Sequence, residues 1–326
     1  MEFGISAGDG IGMDLRTRRV YTPRQAVTEH ILMLAGRVGY GAALIDAGAA
    51  ELGKAFVVSW PELVRMVRAA AHGLSRRGLQ EGDTAAIFVQ DAVSHVLAVH
   101  AVRAAGAIAA PMRPAQTAAD IAAQLKECRA RLLITSAELA DLAIQAAERS
   151  WVRQVFAFGE AEGTTPFGSL LHTARHGQAH PNGRAGLDGS PSLGRRRSVG
   201  RSPSLNGRAG WDGSEGLVDG SEGLVDGSAV PDDHLIARVP DLAWLGPDGA
   251  ALSLTSRDVV AAAPPCGDPD VYTSLLDLAL AAGAAVVAAP LAQVPVAVGA
   301  YKGTAAVVPR GTDVPGLAAG RVFAVG

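Results

Sequence analysis

Three histidines, His172, His176 and His180, recur every four residues. On an unbroken helix that spacing would stack three imidazoles on one face, a set suited to zinc. Gly177 and Pro181 interrupt the helix that the pattern needs, and no carboxylate is spaced to complete or orient the set. Solvated histidines are therefore the expectation. Arg195-Arg196-Arg197-Ser198 carries charge that could meet a nucleic-acid backbone or a kinase. Acidic residues follow from Asp212 onward and aromatics are nearly absent, so a solvated charge cluster is expected. Asp91, His95 and His100 fall at a strand end and on the helix after it. Strand ends of open α/β sheets bind ligands. A protonated His95 near a helix N-terminus is electrostatically poor, and no nucleophile accompanies it, so the three are read as helix-surface residues. Gly8-Asp9-Gly10-Ile11-Gly12 has the glycines of a phosphate loop, but no strand precedes it and no glycine follows at the right spacing. Gly-x-Ser-x-Gly, His-Glu-x-x-His and paired-carboxylate motifs do not occur. No residue is assigned a catalytic, cofactor-binding or metal-ligating role on these grounds.

The frame that must position any such chemistry is a 326-residue chain, 48% hydrophobic and 19% charged, with formal net charge -3. That apolar fraction is ample for a packed core, and the near-neutral balance predicts no nucleic-acid partner and no attraction to acidic surfaces. Cys128 and Cys266 stand far apart and form neither a disulfide framework nor a metal motif, which points to a reducing cytoplasm. The first residues, Met1-Glu2-Phe3-Gly4, have no basic start and no long apolar run, so no signal peptide is expected. Leu278 to Ala300 is free of charge and long enough for a membrane helix. Gly283, Pro290, Pro295 and Gly299 break it, so strand and helix are expected there instead, and no membrane association.

Four regions follow from composition and patterning. Residues 1–20 read as a flexible leader. Residues 21–176 alternate helices and strands. Thr22-Pro23-Arg24-Gln25 is a capping box with proline at the first helical position, and Ser59-Trp60-Pro61-Glu62 is a second capping box. The second opens a helix with Leu63, Val67, Ala70, Ala71 and Leu74 on its apolar face, and Gly78 stops it. Ala42 to Ile45, Ala55 to Val58, Ala85 to Val89, Ile108 to Pro111, Arg131 to Thr135 and Val152 to Phe158 read as strands. Ser94, Thr117 and Ser136 read as starts of the helices between them. Residues 177–233 are rich in Gly, Ser, Asp and Arg and repeat themselves: Asn182 to Gly186 recurs as Asn206 to Gly210, and Asp212 to Val218 as Asp219 to Val225. Such a segment cannot bury enough apolar surface to offset its ordering entropy, so a disordered insert is expected. Residues 234–326 return to α/β patterning, with strands at Leu242 to Leu245, Ala285 to Ala288 and Ala305 to Val308. A short helix capped by Thr255-Ser256-Arg257-Asp258 and another over Leu275 to Ala282 complete it. The expected fold class is α/β, parallel βαβ units in a layered sheet with flanking helices.

The order of motifs in residues 56–135 resembles the acyl-adenylate-forming superfamily of acyl-CoA synthetases, luciferases and nonribosomal adenylation domains. The resemblance rests on the helix Leu74 to Gly78 followed by Gly82-Asp83, on Ala105-Gly106-Ala107, on Pro111-Met112-Arg113-Pro114, and on the helix and strand from Gln124-Leu125 to Ile134-Thr135. It implies the front half of that superfamily's large N-terminal domain, and an AMP-forming acid–thiol ligase activity using ATP, Mg²⁺ and often CoA. Asp241-Leu242-Ala243-Trp244-Leu245 resembles the strand that leads into the family's Ser-Gly-Thr-Thr-Gly-x-Pro-Lys-Gly phosphate loop. Here that loop is replaced by Gly246-Pro247-Asp248-Gly249-Ala250-Ala251, with no Ser, Thr or Lys, an added carboxylate, and a proline that removes an N–H donor. Leu254 to Asp258 resembles the helix start after the loop. The acyl-pocket wall is compressed to Pro264-Pro265-Cys266-Gly267-Asp268, and the Tyr-Gly-x-Thr-Glu segment does not occur. The ribose-binding Asp, the hinge and the lysine-bearing C-terminal domain would lie beyond Gly326. The expectation is thus a non-adenylating pseudo-enzyme that binds a partner or an acyl ligand and carries no cofactor, inactive as a ligase on its own. Two alternatives stand beside it: a split ligase completed in trans by a full-length ligase or another chain, and a vestigial fragment.

Overall fold

The computed structural model describes residues 12–14, 19–21, 23–48, 56–114, 117–171, 244–245, 251–252, 254–317 and 321–325. Contacts divide the chain into Met1–Ala174 with His234–Gly326, and Arg175–Asp233; every described element lies in the first of these. The elements run β1 (Gly12–Asp14), β2 (Arg19–Tyr21), α1 (Pro23–Val38), β3 (Ala42–Asp46), β4 (Phe56–Ser59), α2 (Trp60–Arg76), β5 (Thr84–Phe88), α3 (Ala92–Ala104), β6 (Ile108–Pro111) and α4 (Ala118–Glu127). They continue β7 (Leu132–Ser136), α5 (Ala140–Ala147), β8 (Gln154–Phe158) and β9 (Thr165–Pro166). The last group is β10 (Trp244–Leu245), β11 (Ala251–Leu252), β12 (Val259–Ala262), α6 (Pro269–Ala281), β13 (Ala285–Ala288), α7 (Val294–Tyr301), β14 (Ala305–Pro309) and β15 (Val322–Val325).

Two sheets organise these elements. One has the order β6-β5-β7-β8-β9 and is parallel throughout. The other has the order β15-β14-β12-β13-β3-β4 and is parallel except for the β3–β4 pair at its edge. Parallel sheets need cover on both faces, and their strands read as continuous apolar runs; Ala85-Ala86-Ile87 and Val286-Val287 do so here. The five-stranded sheet packs Ile87, Ile134 and Phe156 against Ala70 and Leu74 of α2 and Val99 and Val102 of α3. Its other face packs Phe88 and Leu133 against α4 and α5 through Ile121, Leu125 and Ala143. The six-stranded sheet presents Leu44, Val260 and Val286 to α1, α2, α3 and α6. Its far face packs Ala261, Val287 and Val308 against Val294 and Val298 of α7. The result is five layers, with α2 and α3 serving both sheets.

Helix boundaries follow from local chemistry. At the start of α2, Glu62 accepts from the Ser59 backbone N–H at 2.9 Å and from its hydroxyl at 2.7 Å. The Ser59 N–H and hydroxyl, with Arg65 nearby, hold the Glu62 carboxyl below its usual range against a small opposing effect of burial. The helix stops where Gly78 turns to φ +92°, a left-handed conformation that glycine adopts without strain. Thr117 caps α4 through the Asp120 N–H. For α3 the cap is Asp91, whose carboxylate accepts from the Ser94 N–H at 2.7 Å. Ser94, expected as the cap, is instead the third residue of the helix. Asp268 caps α6 by accepting from the Asp270 and Val271 N–H groups, with Pro269 in the first turn. The charge-free stretch from Leu278 to Ala300 divides into the end of α6, strand β13 and the start of α7. Among the described residues no helix is long and apolar enough to cross a membrane.

One glycine marks where the outer segment docks on the helical layer. A methyl group on Gly73 of α2 would meet the Leu170 carbonyl oxygen at 2.6 Å and its Cα at 2.9 Å. Gly73→Ala is expected to lower the stability of the chain by about 1–3 kcal/mol, as overpacking does. Urea denaturation measures it, and an unchanged midpoint would mean that residues 167–171 do not pack against α2.

Candidate functional site

Two regions are candidates for function: the connection that stands in the sequence where a phosphate loop is expected, and the carboxyl ends of the described strands. Trp244 pairs antiparallel with Leu252, and Leu245 with Ala251. The connection is therefore Gly246-Pro247-Asp248-Gly249-Ala250, one residue shorter than the sequence reading, because Ala251 already belongs to β11. These five residues lie outside the described ones, as do Asp241 to Ala243. Their composition offers no hydroxyl, amide or amine side chain to a phosphate, and Asp248 brings a negative charge.

The segment after the hairpin corrects the sequence reading. Thr255 to Asp258 does not cap a helix. The Thr255 N–H and hydroxyl both donate to the Asp258 carboxylate, at 2.7 and 2.9 Å, and the Asp258 N–H donates to the Thr255 carbonyl. This closed turn feeds directly into β12. The other Asp258 oxygen accepts from the Thr304 hydroxyl at 2.7 Å and faces Arg321 at 3.4 Å. Burial alone would raise the Asp258 carboxyl. Hydrogen bonds from Thr304 and Thr255, together with Arg321, hold it below the ordinary carboxylate range. The Thr-x-x-Asp spelling suits a helix cap and a turn equally, and the β-branched pair Val259-Val260, covered on both faces of the sheet, decides for a strand.

At the strand ends, polar groups converge but each is already engaged. Asp46 ends β3 and accepts from the Gly48 N–H at 3.0 Å. Asp91 follows β5. Burial raises its carboxyl above the usual value, the Ser94 N–H opposes that, and the Asp46 charge adds to it. Tyr272 is fully buried and its hydroxyl donates to the Ala263 carbonyl at 2.7 Å. Burial pushes the Cys266 thiol up to about 11, so it is no thiolate near neutral pH. None of these described strand-end groups pairs a nucleophile with a base, and among the described residues no group of three or more His, Cys, Asp or Glu could hold a metal ion.

His95 and His100 correct a second expectation. They are not surface residues: they are 3% and 1% exposed, inside the layer between the sheets. Every residue of α3 from Ala92 to Arg103 is buried. Sequence reasoning missed this, although the low polarity of Ala92 to Ala104 on all sides of the helix was the available signal. The histidines at 172, 176 and 180 and the Arg195 to Ser198 cluster lie outside the described residues.

The layered α/β frame, with two largely parallel sheets sharing one helical layer, has the fold of solved acyl-CoA ligases. The family model described as AMP-binding enzyme matches residues 42–172. Over that segment the chain is similar to the AMP-binding enzyme family. A 4-coumarate–CoA ligase-like protein of Oryza sativa subsp. japonica is 33% identical over 121 residues, 36% of this chain and 20% of that protein. A naringenin synthase of Pestalotiopsis fici is 34% identical over 86 residues, 26% of this chain and 3% of that protein. Among solved structures, a long-chain-fatty-acid–CoA ligase of Archaeoglobus fulgidus superposes with TM-score 0.56 at 14% identity, covering 89% of this chain and 52% of that one. An anthranilate–CoA ligase in complex with anthranoyl-AMP gives TM-score 0.56 at 16% identity, covering 87% and 49%. At such identities the structural likeness carries the fold alone. The chain spans about half the length of these structures and a fifth or less of the curated relatives.

Asp91 offers a test of the strand-end geometry. Its raised carboxyl means that its contribution is favourable at low pH and is lost as pH rises through the folded value, so its charged form is a burden at pH 7. Asp91→Ala, which removes the cap, is expected to cost about 1 kcal/mol. Asp91→Asn keeps a capping oxygen without the buried charge and is expected to stay within about 0.5 kcal/mol of the parent at pH 7. Denaturation at pH 7 compares them; equal losses in both variants would place the carboxylate in another role.

Proposed function

We propose that this chain is a non-adenylating relative of the AMP-forming ligases, which uses their scaffold to bind a protein partner or an acyl ligand. The observation that carries the reading is the five-residue connection Gly246 to Ala250 between β10 and β11. Adenylation moves negative charge onto a pyrophosphate leaving group, and enzymes lower that barrier with backbone N–H groups, hydroxyls, cationic side chains and Mg²⁺. Losing one such donor typically costs about 2.7–4 kcal/mol in the barrier. The connection here offers no side-chain donor of that kind, and Asp248 would repel the phosphate it replaced. The turn at Thr255 to Asp258 supports the same reading, because it takes the chain straight from the hairpin into β12 with no intervening helix.

ATP–pyrophosphate exchange with a panel of aliphatic and aromatic carboxylic acids tests the proposal. The purified chain is expected to show no exchange above the protein-free background, with an intact ligase as positive control. Robust exchange by the chain alone would sink the reading. Exchange arising only when an inactivated full-length ligase is added would replace it with a chain completed in trans.

A further inference from the structure

Helix α3 carries three titratable side chains into the layer between the sheets, and α6 meets all three. His95 Nε2 lies 2.9 Å from the Thr273 hydroxyl oxygen. That hydroxyl donates its own proton to the Pro269 carbonyl at 2.6 Å, so the neutral His95 ring carries its hydrogen on Nε2 and donates it to Thr273. The Tyr272 ring stands edge-on to His95 at 5.1 Å. One turn further along α6, Asp277 pairs with Arg103 at 2.7 Å and faces His100 Nε2 at 3.5 Å. From α1, Thr28 meets His100 Nδ1 at 2.9 Å. The strands that close this layer from both sides present apolar side chains to it.

We propose that this buried seam between α3 and α6 is an acid-opened latch: proton uptake by His95 and His100 frees α6, and the strands around it, from the half of the molecule built on the five-stranded sheet.

The charge count carries it. With both imidazoles neutral, Arg103 and Asp277 cancel. One added proton leaves an excess positive charge in the seam and a second leaves two, with Asp277 the sole carboxylate that α6 turns toward them. Asp91, at the N-terminus of α3, is engaged by Ser94. An uncompensated charge in an apolar layer must reach water, and parting α6 from α3 is the route. The five-stranded sheet keeps its own cover on both faces, from α2 and α3 and from α4 and α5, so it can outlast the opening. Burial, opposed only in part by Asp277, brings His95 down to about 3 and His100 to about 4 in the folded chain. Both are depressed, so the unfolded or opened chain binds more protons than the folded one from about pH 6.5 down to about 4. Stability is full above that window and falls as pH drops through it. The lowered carboxyls of Glu62 and Asp258 act below it, and the raised Asp91 carboxyl opposes it at its acid end.

The test uses the full chain. The urea midpoint is expected to fall steadily from pH 6.5 to 4.5, with a slope equivalent to about two protons taken up on unfolding. Hydrogen exchange, corrected for intrinsic rates, is expected to show peptides within 269–281 losing protection by pH 4.5 while peptides within 132–136 keep theirs. The double variant His95→Gln, His100→Gln is expected to flatten the slope. Parallel slopes in parent and variant would overturn the latch, as would loss of protection in both segments together at every pH. Should the double variant not fold, calorimetry of the parent in two buffers of different ionisation enthalpy reads proton uptake directly, and no uptake at pH 5.5 would overturn the proposal equally.

Discussion

The ion pair between Arg103 and Asp277 sits where everything else in this fold must be reconciled. Its two side chains are 3% and 10% exposed, in a layer that both sheets enclose. Taking two charges out of water costs several kcal/mol per ion, and attraction repays this only when geometry is good. Arg103 still leaves its Nε without a partner in this setting. The pair is therefore weak as a source of stability and strong as a constraint. Breaking it from one side leaves a bare charge, which costs about 3–5 kcal/mol. Together with Thr28 and Thr273 it lets α3 settle against α1 and α6 in one register, and α3 is the helix through which the two sheets share a core.

That shared helix explains the alanine-rich spelling of the chain. A helix buried along its whole length must approach sheets on two sides. Small residues such as Ala98 and Ala101, in one core with Ala85 and Ala109, allow that approach. Larger side chains, Trp60 of α2 and Tyr272 of α6, belong to the core on the six-stranded sheet. The scaffold is thus complete in its packing while its strand ends are chemically quiet. Asp91 is used as a cap, Tyr272 is bonded to the backbone, and Cys266 is protonated. The same quietness extends to the hairpin, where the connection between β10 and β11 has neither cation nor hydroxyl.

Much of this frame was legible from residue order. Ile108–Pro111 and Ala285–Ala288 are strands with the expected bounds, and the Ser59–Glu62 capping box opens α2 as its spelling requires. Other elements were misread or not read at all, for identifiable reasons. The Thr255–Asp258 spelling suits a cap and a turn alike, and strand β12 was hidden behind it. Helix α7 lies in a stretch with Pro295 and Gly299, but Pro295 falls in the first turn, where its missing N–H is no loss. Strand β15 is short, and its pairing with β14 is a long-range contact that local pattern does not encode.

The sequence by itself determined the class of fold, the motifs of residues 56–135 that tie the chain to AMP-binding enzymes, and the absence of phosphate-binding side chains from residues 246–250. These are properties of residue type and spacing, readable without a third dimension. Only the tertiary structure decided the state of the titratable groups. His95 and His100 lie in a stretch whose low polarity signals burial, but how far each imidazole is desolvated depends on two sheets, distant in sequence, closing over the same helix. Burial sets whether an imidazole at pH 7 is a proton carrier or a neutral core residue. That outcome rests on the desolvation energy of the assembled layers, which no local stretch of sequence contains.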